Sequence, residues 1–312
     1  MSGPSDEADG RCVALTGATG FLGAAVAREL IARGWRVRAL VRRWPAGLSG
    51  LGVELVIGDL SEAAALARLV AGVDAVVHVA GAIKGDAATL ERANVTGTGL
   101  LSAAWRASAP TAPFVHLSSM AAREATLSPY SASKRAGEEV LRAAGGPLRI
   151  LRPGAIYGPG DLETLKIFRL ADAPVQPMLN GPAARVALVH VSDAARAAVD
   201  AIDGPAMTGP VEITDARRDG YSWEEILQAA TAALGRPMRP FRVPASVLRL
   251  VGRAGDGLAL LGLPDLAPGS GKVRELLHQD WSPQSGVANR ATIGIQDGFR
   301  DTVKAYREAG LL

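Results

Sequence analysis

Cysteine is nearly missing from this chain: Cys12 is the only one in 312 residues. No intrachain disulfide can form, and no thiolate cluster exists to hold zinc or an iron–sulfur group. An apolar core must therefore do the holding, which suits a reducing, cytoplasmic setting. Aromatic residues are scarce as well, at 4%, too few for the base-stacking platforms of single-strand nucleic-acid binders. Neither sign of charge dominates, the formal net charge being +3. Of the 34 basic residues 29 are arginines, and they are scattered among acids rather than gathered on one stripe. That distribution argues against a nucleic-acid partner. The four histidines offer no pair at metal-ligand spacing, so no metal is expected. Long hydrophobic runs are missing too. Cys12–Ala27 is uncharged but shorter than a bilayer span, and 243–266 is interrupted by Arg249, Arg253, Asp256 and two prolines. No membrane partner is expected. The opening MSGPSDEADG is polar and acidic, and reads as a disordered leader over residues 1–10 without the basic start of a signal peptide.

What is present is an apolar content of 48% and a strict alternation of strand and helix patterns. Short apolar runs at Val13–Leu15, Arg36–Val41, Val53–Ile57, Ala75–Val79, Phe114–Leu117 and Leu148–Leu151 read as strands. Helical patterns at Ser61–Ala71, Asp86–Ala107 and Pro129–Ala144 lie among them. Such alternation predicts an α/β fold, a doubly wound parallel sheet of Rossmann type covered on both faces. After Arg152 the texture changes to proline- and glycine-broken segments. Val186–Val191 reads as one more buried strand, followed by a helix over Ser192–Ala201. The expected division is a nucleotide-binding domain over 11–160 with about 186–214, and a smaller substrate-binding subdomain from 161–185 and 215–312.

Thr16-Gly17-Ala18-Thr19-Gly20-Phe21-Leu22-Gly23 follows a strand and opens a helix. The first glycine permits the tight turn, the second lets backbone approach a pyrophosphate, and the third packs helix on strand. Phosphate then rests on the helix N-terminus, where free N–H groups and the dipole favour anions. The string resembles the TGxxGxxG fingerprint of the extended short-chain dehydrogenase/reductase family, whose members include nucleotide-sugar epimerases, dehydratases and dihydroflavonol reductases. The likeness continues through Gly58-Asp59-Leu60, Asn94-Val95-Thr96-Gly97-Thr98, Leu117-Ser118-Ser119, Tyr130-Ser131-Ala132-Ser133-Lys134, Arg152–Gly160 and Val189–Asp193.

The resemblance implies a nicotinamide dinucleotide bound by Thr16, Gly17, Thr19, Gly20, Phe21, Leu22 and Gly23. It further implies contacts from Asp59 and Leu60 to adenine, and from Ala80, Gly81 and Ala82 along the cofactor. Pro153, Gly154 and Ile156 would lie beside the nicotinamide amide. Asp59 is equally well read as an acid at a helix start with Ser61 as the cap. Tyr130 and Lys134 are four apart and share a helix face; a neighbouring ammonium favours the phenolate and lowers the phenol pKa. By resemblance, Tyr130 is the general acid/base, Lys134 also binds the nicotinamide ribose, and Ser119 rather than Ser118 holds the substrate oxygen. His78 and His116 are expected as core residues with satisfied hydrogen bonds, and His190 as structural. Lys84 and Arg123 are expected as solvated surface charges.

An acid about 20 residues past the glycines marks NAD-binding units, yet 36–52 contains no Asp or Glu. Arg42 and Arg43 stand there instead, and guanidinium groups hold a 2′-phosphate by charge-assisted hydrogen bonds. NADP(H) is the expected cofactor, with NAD(H) second. Only ten residues separate Ser119 from Tyr130, where nucleotide-sugar epimerases carry a longer insertion. The chain therefore reads first as an NADP(H)-dependent oxidoreductase of a small-molecule carbonyl/alcohol pair. An NAD-retaining nucleotide-sugar epimerase or dehydratase comes second, and a non-catalytic cofactor-binding subunit third. The resemblance allows a homodimer through a four-helix contact.

Overall fold

The structure, a computed structural model, describes residues 10–44, 50, 52–179, 181–261, 263, 266–284 and 291–312. The leader reading therefore falls almost wholly outside the described residues. The chain begins its fold with β1 (Cys12–Thr16), buried along its whole length. Then come α1 (Phe21–Ala32), β2 (Arg36–Val41), β3 (Glu54–Ile57), α2 (Ala63–Val70) and β4 (Ala75–His78). A short α3 (Ala87–Glu91) runs through a π-helical turn at Arg92–Thr96 into α4 (Gly97–Ser108). After β5 (Phe114–Leu117) and a 3-10 turn at Met120–Glu124, α5 (Pro129–Ala144) leads to β6 (Leu148–Pro153). Ser128 caps α5 by accepting from the Ser131 N–H, and Pro129 occupies its first turn, where no N–H is missed.

The second half supplies β7 (Ala155–Tyr157), α6 (Leu165–Asp172), β8 (Gln176–Met178), β9 (Arg185–Val186), β10 (Leu188–His190) and α7 (Val191–Asp203). It continues with β11 (Val211–Ile213), α8 (Trp223–Leu234), β12 (Pro240–Arg242), α9 (Ala245–Leu260), α10 (Ser270–Leu277), β13 (Asp280–Trp281) and α11 (Ile295–Glu308). The central sheet is parallel throughout, in the order β11-β6-β5-β4-β1-β2-β3. Its order reverses between β1 and β4, the crevice where such sheets bind ligands. This is the expected doubly wound fold.

Strand pleating divides β1 between two cores. Val13 and Leu15 face α1 and α7, whereas Cys12 and Ala14 face the layer with Leu66, Leu101 and Trp105. A third cluster joins Tyr157 and Phe168 to Ile226 of α8 and Phe299, Val303 and Tyr306 of α11. Aromatic edge-to-face contacts organise it, Phe299 lying 5.0 Å from Tyr157 and 4.9 Å from Phe168 between ring centres.

One expected strand divides in two. Val186–Val191 breaks at Ala187, because β9 pairs with β13, whereas β10 pairs with β7 and Val191 already opens α7. Burial makes the segment uniformly apolar, so its pattern carries no mark of the change of partner. Phe299→Ala should lower stability by about 3–5 kcal/mol, read by urea denaturation; a loss below about 1 kcal/mol would show that the third cluster does not hold α11.

Candidate functional site

The glycine loop has the geometry its sequence asks for. Gly17 has φ +77°, and a Cβ there would lie 2.7 Å from the Ala80 nitrogen. A Cβ on Gly23 would fall 1.9 Å from the Gly17 carbonyl oxygen, so α1 packs onto the turn only with hydrogen at that position. Gly20 is the N-cap of α1, no side chain caps it, and the first turn holds no acid. Thr19 and Gly20 are exposed, and Phe21 and Leu22 half-buried. The N-terminal N–H groups are thus available to an anion. A phosphate-bearing dinucleotide fits this cradle.

A buried line of hydrogen bonds runs from the loop to the helix bearing Tyr130. Thr16 Oγ1 lies 2.7 Å from His78 Nδ1 and accepts from the Ala80 N–H at 3.2 Å. His78 Nε2 lies 2.9 Å from Thr98 Oγ1, whose proton goes to the Asn94 carbonyl at 2.8 Å. The network thereby assigns the His78 proton to Nε2. Burial, with Lys134 nearby, pulls His78 down to about 3, so the ring stays neutral. Asn94, in the π-helical turn, accepts from the Ala82 N–H at 2.8 Å. Its amide donates to the Ala82 carbonyl and to Ser133 Oγ, both at 2.9 Å. A Cβ on Gly81 would meet Asn94 Oδ1 at 2.7 Å and stand 3.8 Å from Lys134 Nζ. Asn94 therefore fixes the Ala80–Ala82 strip against the Tyr130 helix. The Asn94–Thr98 string marked it as family-like without assigning it a task.

Tyr130, Lys134 and Ser119 come together. The Ser119 hydroxyl hydrogen-bonds to the Tyr130 phenol and accepts from the Ala121 N–H at 3.1 Å. Ser118 points elsewhere, donating to Glu138 at 2.6 Å. The choice between the serines follows strand alternation. The phenol pKa differs from the expected direction. Burial pushes Tyr130 up to about 12; the Ser119 bond works against this, and the Glu275 carboxylate adds to it. Lys134 is not among the groups that move the phenol; burial brings its own pKa down to about 8 against the pull of Glu138. Its Nζ donates to the Leu117 carbonyl at 2.8 Å.

Glu138, one turn beyond Lys134, has no exposed surface. Arg152 donates to it through Nε at 2.8 Å and Nη2 at 2.7 Å, and Arg142 at 2.9 Å. Burial alone would raise this carboxyl; the bonds from Arg152 and Ser118, with Arg142 beside them, hold it below the usual glutamate range. On the other side of α5, Glu275 of α10 accepts from Ser128 Oγ, and from Ser131 Oγ at 3.2 Å. Neither glutamate carries a sequence motif.

Other expected residues fall as follows. Arg42 and Arg43 are exposed at the end of β2. Asp59 follows β3, and its carboxylate accepts from the Ser61 N–H and Oγ at 3.1 Å. Glu62, not Ser61, is the N-cap of α2. Leu60 packs where a Cβ on Gly97 would meet it at 2.9 Å. Pro153 ends β6, the Gly154 N–H donates to Ile213 at 2.9 Å, and Ile156 pairs with Val189. His116 is buried, but neither ring nitrogen finds a partner; it stacks on His78 at 5.2 Å. His190 caps α7 through Nδ1. Lys84 forms a surface ion pair with Glu163. Arg123 is not solvated: it donates to the Ser282 carbonyl at 2.9 Å and to Asp280 at 2.5 Å, and pairs with Glu212 at 3.3 Å. It thus ties the 3-10 turn after Ser119 to β13. Among the described residues no group of three metal-binding side chains assembles.

Fold and cradle define a nucleotide-binding enzyme of the Rossmann type with a short-chain dehydrogenase/reductase site. The NAD dependent epimerase/dehydratase family matches residues 13–213. A ceramide reductase of Caulobacter vibrioides is 47% identical over 309 residues, 96% of each chain. A 2-alkyl-3-oxoalkanoate reductase of Stenotrophomonas maltophilia is 36% identical over 190 residues, 54% of this chain and 57% of that one. Bacillus cereus UDP-glucuronic acid 4-epimerase, solved with UDP-glucuronic acid and NAD, shares the fold at TM-score 0.69 and 17% identity, over 96% of this chain and 99% of that one. The chain belongs to the NAD dependent epimerase/dehydratase family and is an NAD(P)-dependent oxidoreductase of the short-chain dehydrogenase/reductase type.

Glu138→Gln should cost about 3 kcal/mol by leaving Arg152 buried without its carboxylate. The sign with pH follows from the depressed pKa: the stabilisation is complete above about 4.5, the ordinary glutamate value, and is lost as pH falls through the lower folded value. Urea denaturation of both proteins between neutral pH and pH ~3 checks this; equal stabilities at neutral pH would refute it.

Proposed function

We propose that this chain is an NADP(H)-dependent reductase of a carbonyl on a ceramide-class lipid amide. The observation that carries the reading is 47% identity to a ceramide reductase across 96% of both chains. The epimerases that share the fold are under 25% identical, and the short Met120–Pro129 connection offers no extra wall for a sugar nucleotide.

In this reading the dinucleotide lies along Thr16, Gly17, Thr19, Gly20, Phe21, Leu22 and Gly23, over Ala80–Ala82 and against Pro153, Gly154 and Ile156. Asp59 and Leu60 flank its adenine. The nicotinamide supplies the hydride that reaches the carbonyl carbon. Ser119 holds the carbonyl oxygen and Tyr130 gives it a proton. A phenol pushed up to about 12 is protonated at neutral pH, the form that reduction consumes. Lys134, near 8, is mostly cationic at neutral pH and holds the ribose side. Arg42, with Arg43 secondary, binds the 2′-phosphate; both are exposed and carry no carboxylate partner among the described residues. Segments 161–185 and 215–312 form the substrate-binding side, with Glu275 setting the field at Tyr130.

The test is oxidation of NADPH or NADH by purified protein with a keto-ceramide in detergent micelles. Tyr130→Phe should cut turnover at least ~10²-fold while nucleotide binding persists. Arg42→Ala should weaken NADPH binding roughly tenfold or more and leave NADH nearly unchanged. Wild-type turnover by Tyr130→Phe would remove the tyrosine from this role; equal or tighter NADH binding by wild type would overturn the cofactor preference.

A further inference from the structure

We infer that the outer face of α9 is a docking surface for an anionic phospholipid bilayer, beside the mouth of the active site. The helix has two apolar faces. Leu248, Gly252 and Gly255 point inward; a Cβ on Gly252 would touch Val273 of α10 at 3.0 Å, and one on Gly255 the Pro268 carbonyl oxygen at 2.3 Å. Val247, Leu250, Val251, Ala254 and Leu261 follow helical spacing along a second, exposed stripe, with Leu258 half-buried on the same face. Leu250 is 67% exposed, Leu261 76% and the adjoining Leu260 90%. Isolated exposed leucines need no explanation, but a continuous stripe flanked by charge does.

The charge around the stripe selects the partner. Arg249 and Arg253, one turn apart, lie on one flank of it, exposed and without a carboxylate partner among the described residues. An apolar stripe with guanidinium groups along one flank matches a helix lying in the headgroup layer, with its leucines toward the acyl chains and its arginines at the phosphates. No described helix is long and apolar enough to cross a membrane, so the contact is at the surface only. This narrows the expectation of no membrane partner to the absence of a span.

Position gives the surface its use. The α9–α10 pair reaches the active site directly: a Cβ on Gly271 of α10 would meet Ser128 Cβ at 3.1 Å and Pro129 Cδ at 3.3 Å. Glu275 on the same helix faces Ser128, Ser131 and Tyr130. A bilayer seated on α9 therefore presents long-chain lipids at the edge of the reaction site. That use rests on the ceramide-class reading, whereas the docking stands on the stripe and its arginines.

The experiment is co-sedimentation of the full chain, without nucleotide or substrate, with vesicles of phosphatidylcholine alone or mixed with phosphatidylglycerol. Wild type should sediment with the mixed vesicles and lose this at high salt. Arg249→Gln with Arg253→Gln should reduce binding by roughly fivefold per arginine, and Leu250→Glu with Leu261→Glu should abolish it. Both variants should keep wild-type thermal unfolding and nucleotide binding. The proposal is overturned if wild type stays in the supernatant with mixed vesicles, or if the arginine variant sediments as wild type does. It is equally overturned if the stripe seats a second copy, seen as a dimer that the leucine variant splits in the absence of vesicle binding. Failure to reduce keto-ceramide in micelles would defeat the functional reading and leave this result standing.

Discussion

The carboxylate of Glu138 holds the reaction site together. It lies on α5 one turn beyond Lys134 and two beyond Tyr130, and it receives Ser118 from the end of β5 and both donors of Arg152 from β6. Those bonds set the rotation and height of α5 against two sheet strands. A helix packed by Leu141 alone could slide by fractions of an ångström; a bidentate guanidinium–carboxylate pair fixes direction as well as distance. Such a buried pair need add little net stability, since desolvation offsets much of its attraction. Its service is geometric, because Tyr130 and Ser119 must converge from different elements.

The line Thr16–His78–Thr98–Asn94–Ser133 does the same for the cofactor side. Its members come from β1, β4, α4, the π-helical turn and α5. Each ring nitrogen has a single duty and each hydroxyl both donates and accepts, so the network has a single proton arrangement. The π-helical turn widens the helix at Asn94 and lets its side chain reach both Ala82 and Ser133. A Cβ on Gly137 would strike the Asn94 carbonyl at 2.4 Å, which is why α5 comes so close there. The glycine loop and the Tyr130 helix are thereby joined by one hydrogen-bonded network.

The C-terminal segments act on this body from outside. Arg123 anchors the turn after Ser119 to Ser282 and Asp280, and α10 brings Glu275 to the start of α5. A buried carboxylate next to a phenol raises the cost of phenolate. Burial does most to keep Tyr130 protonated, and this C-terminal carboxylate adds to it.

Much of the frame was legible in the sequence. Apolar runs and glycines at fixed spacing announce strands and tight turns because each depends on neighbours a few residues away. The φ of Gly17 and the fit of Gly23 against the turn are local in this sense, as is the shared face of Tyr130 and Lys134. Tertiary structure alone decided the rest. Asn94 meets Ser133 39 positions away, and Ser128 meets Glu275 147 positions away. Val186–Val191 divides because two different strands compete for one apolar run. Arg123 is half-buried and Tyr130 is driven toward the neutral phenol because desolvation depends on what the fold stacks around a group. Local pattern fixes which residues can turn, pair or pack; the partner, the dielectric and hence the chemistry come from residues far along the chain.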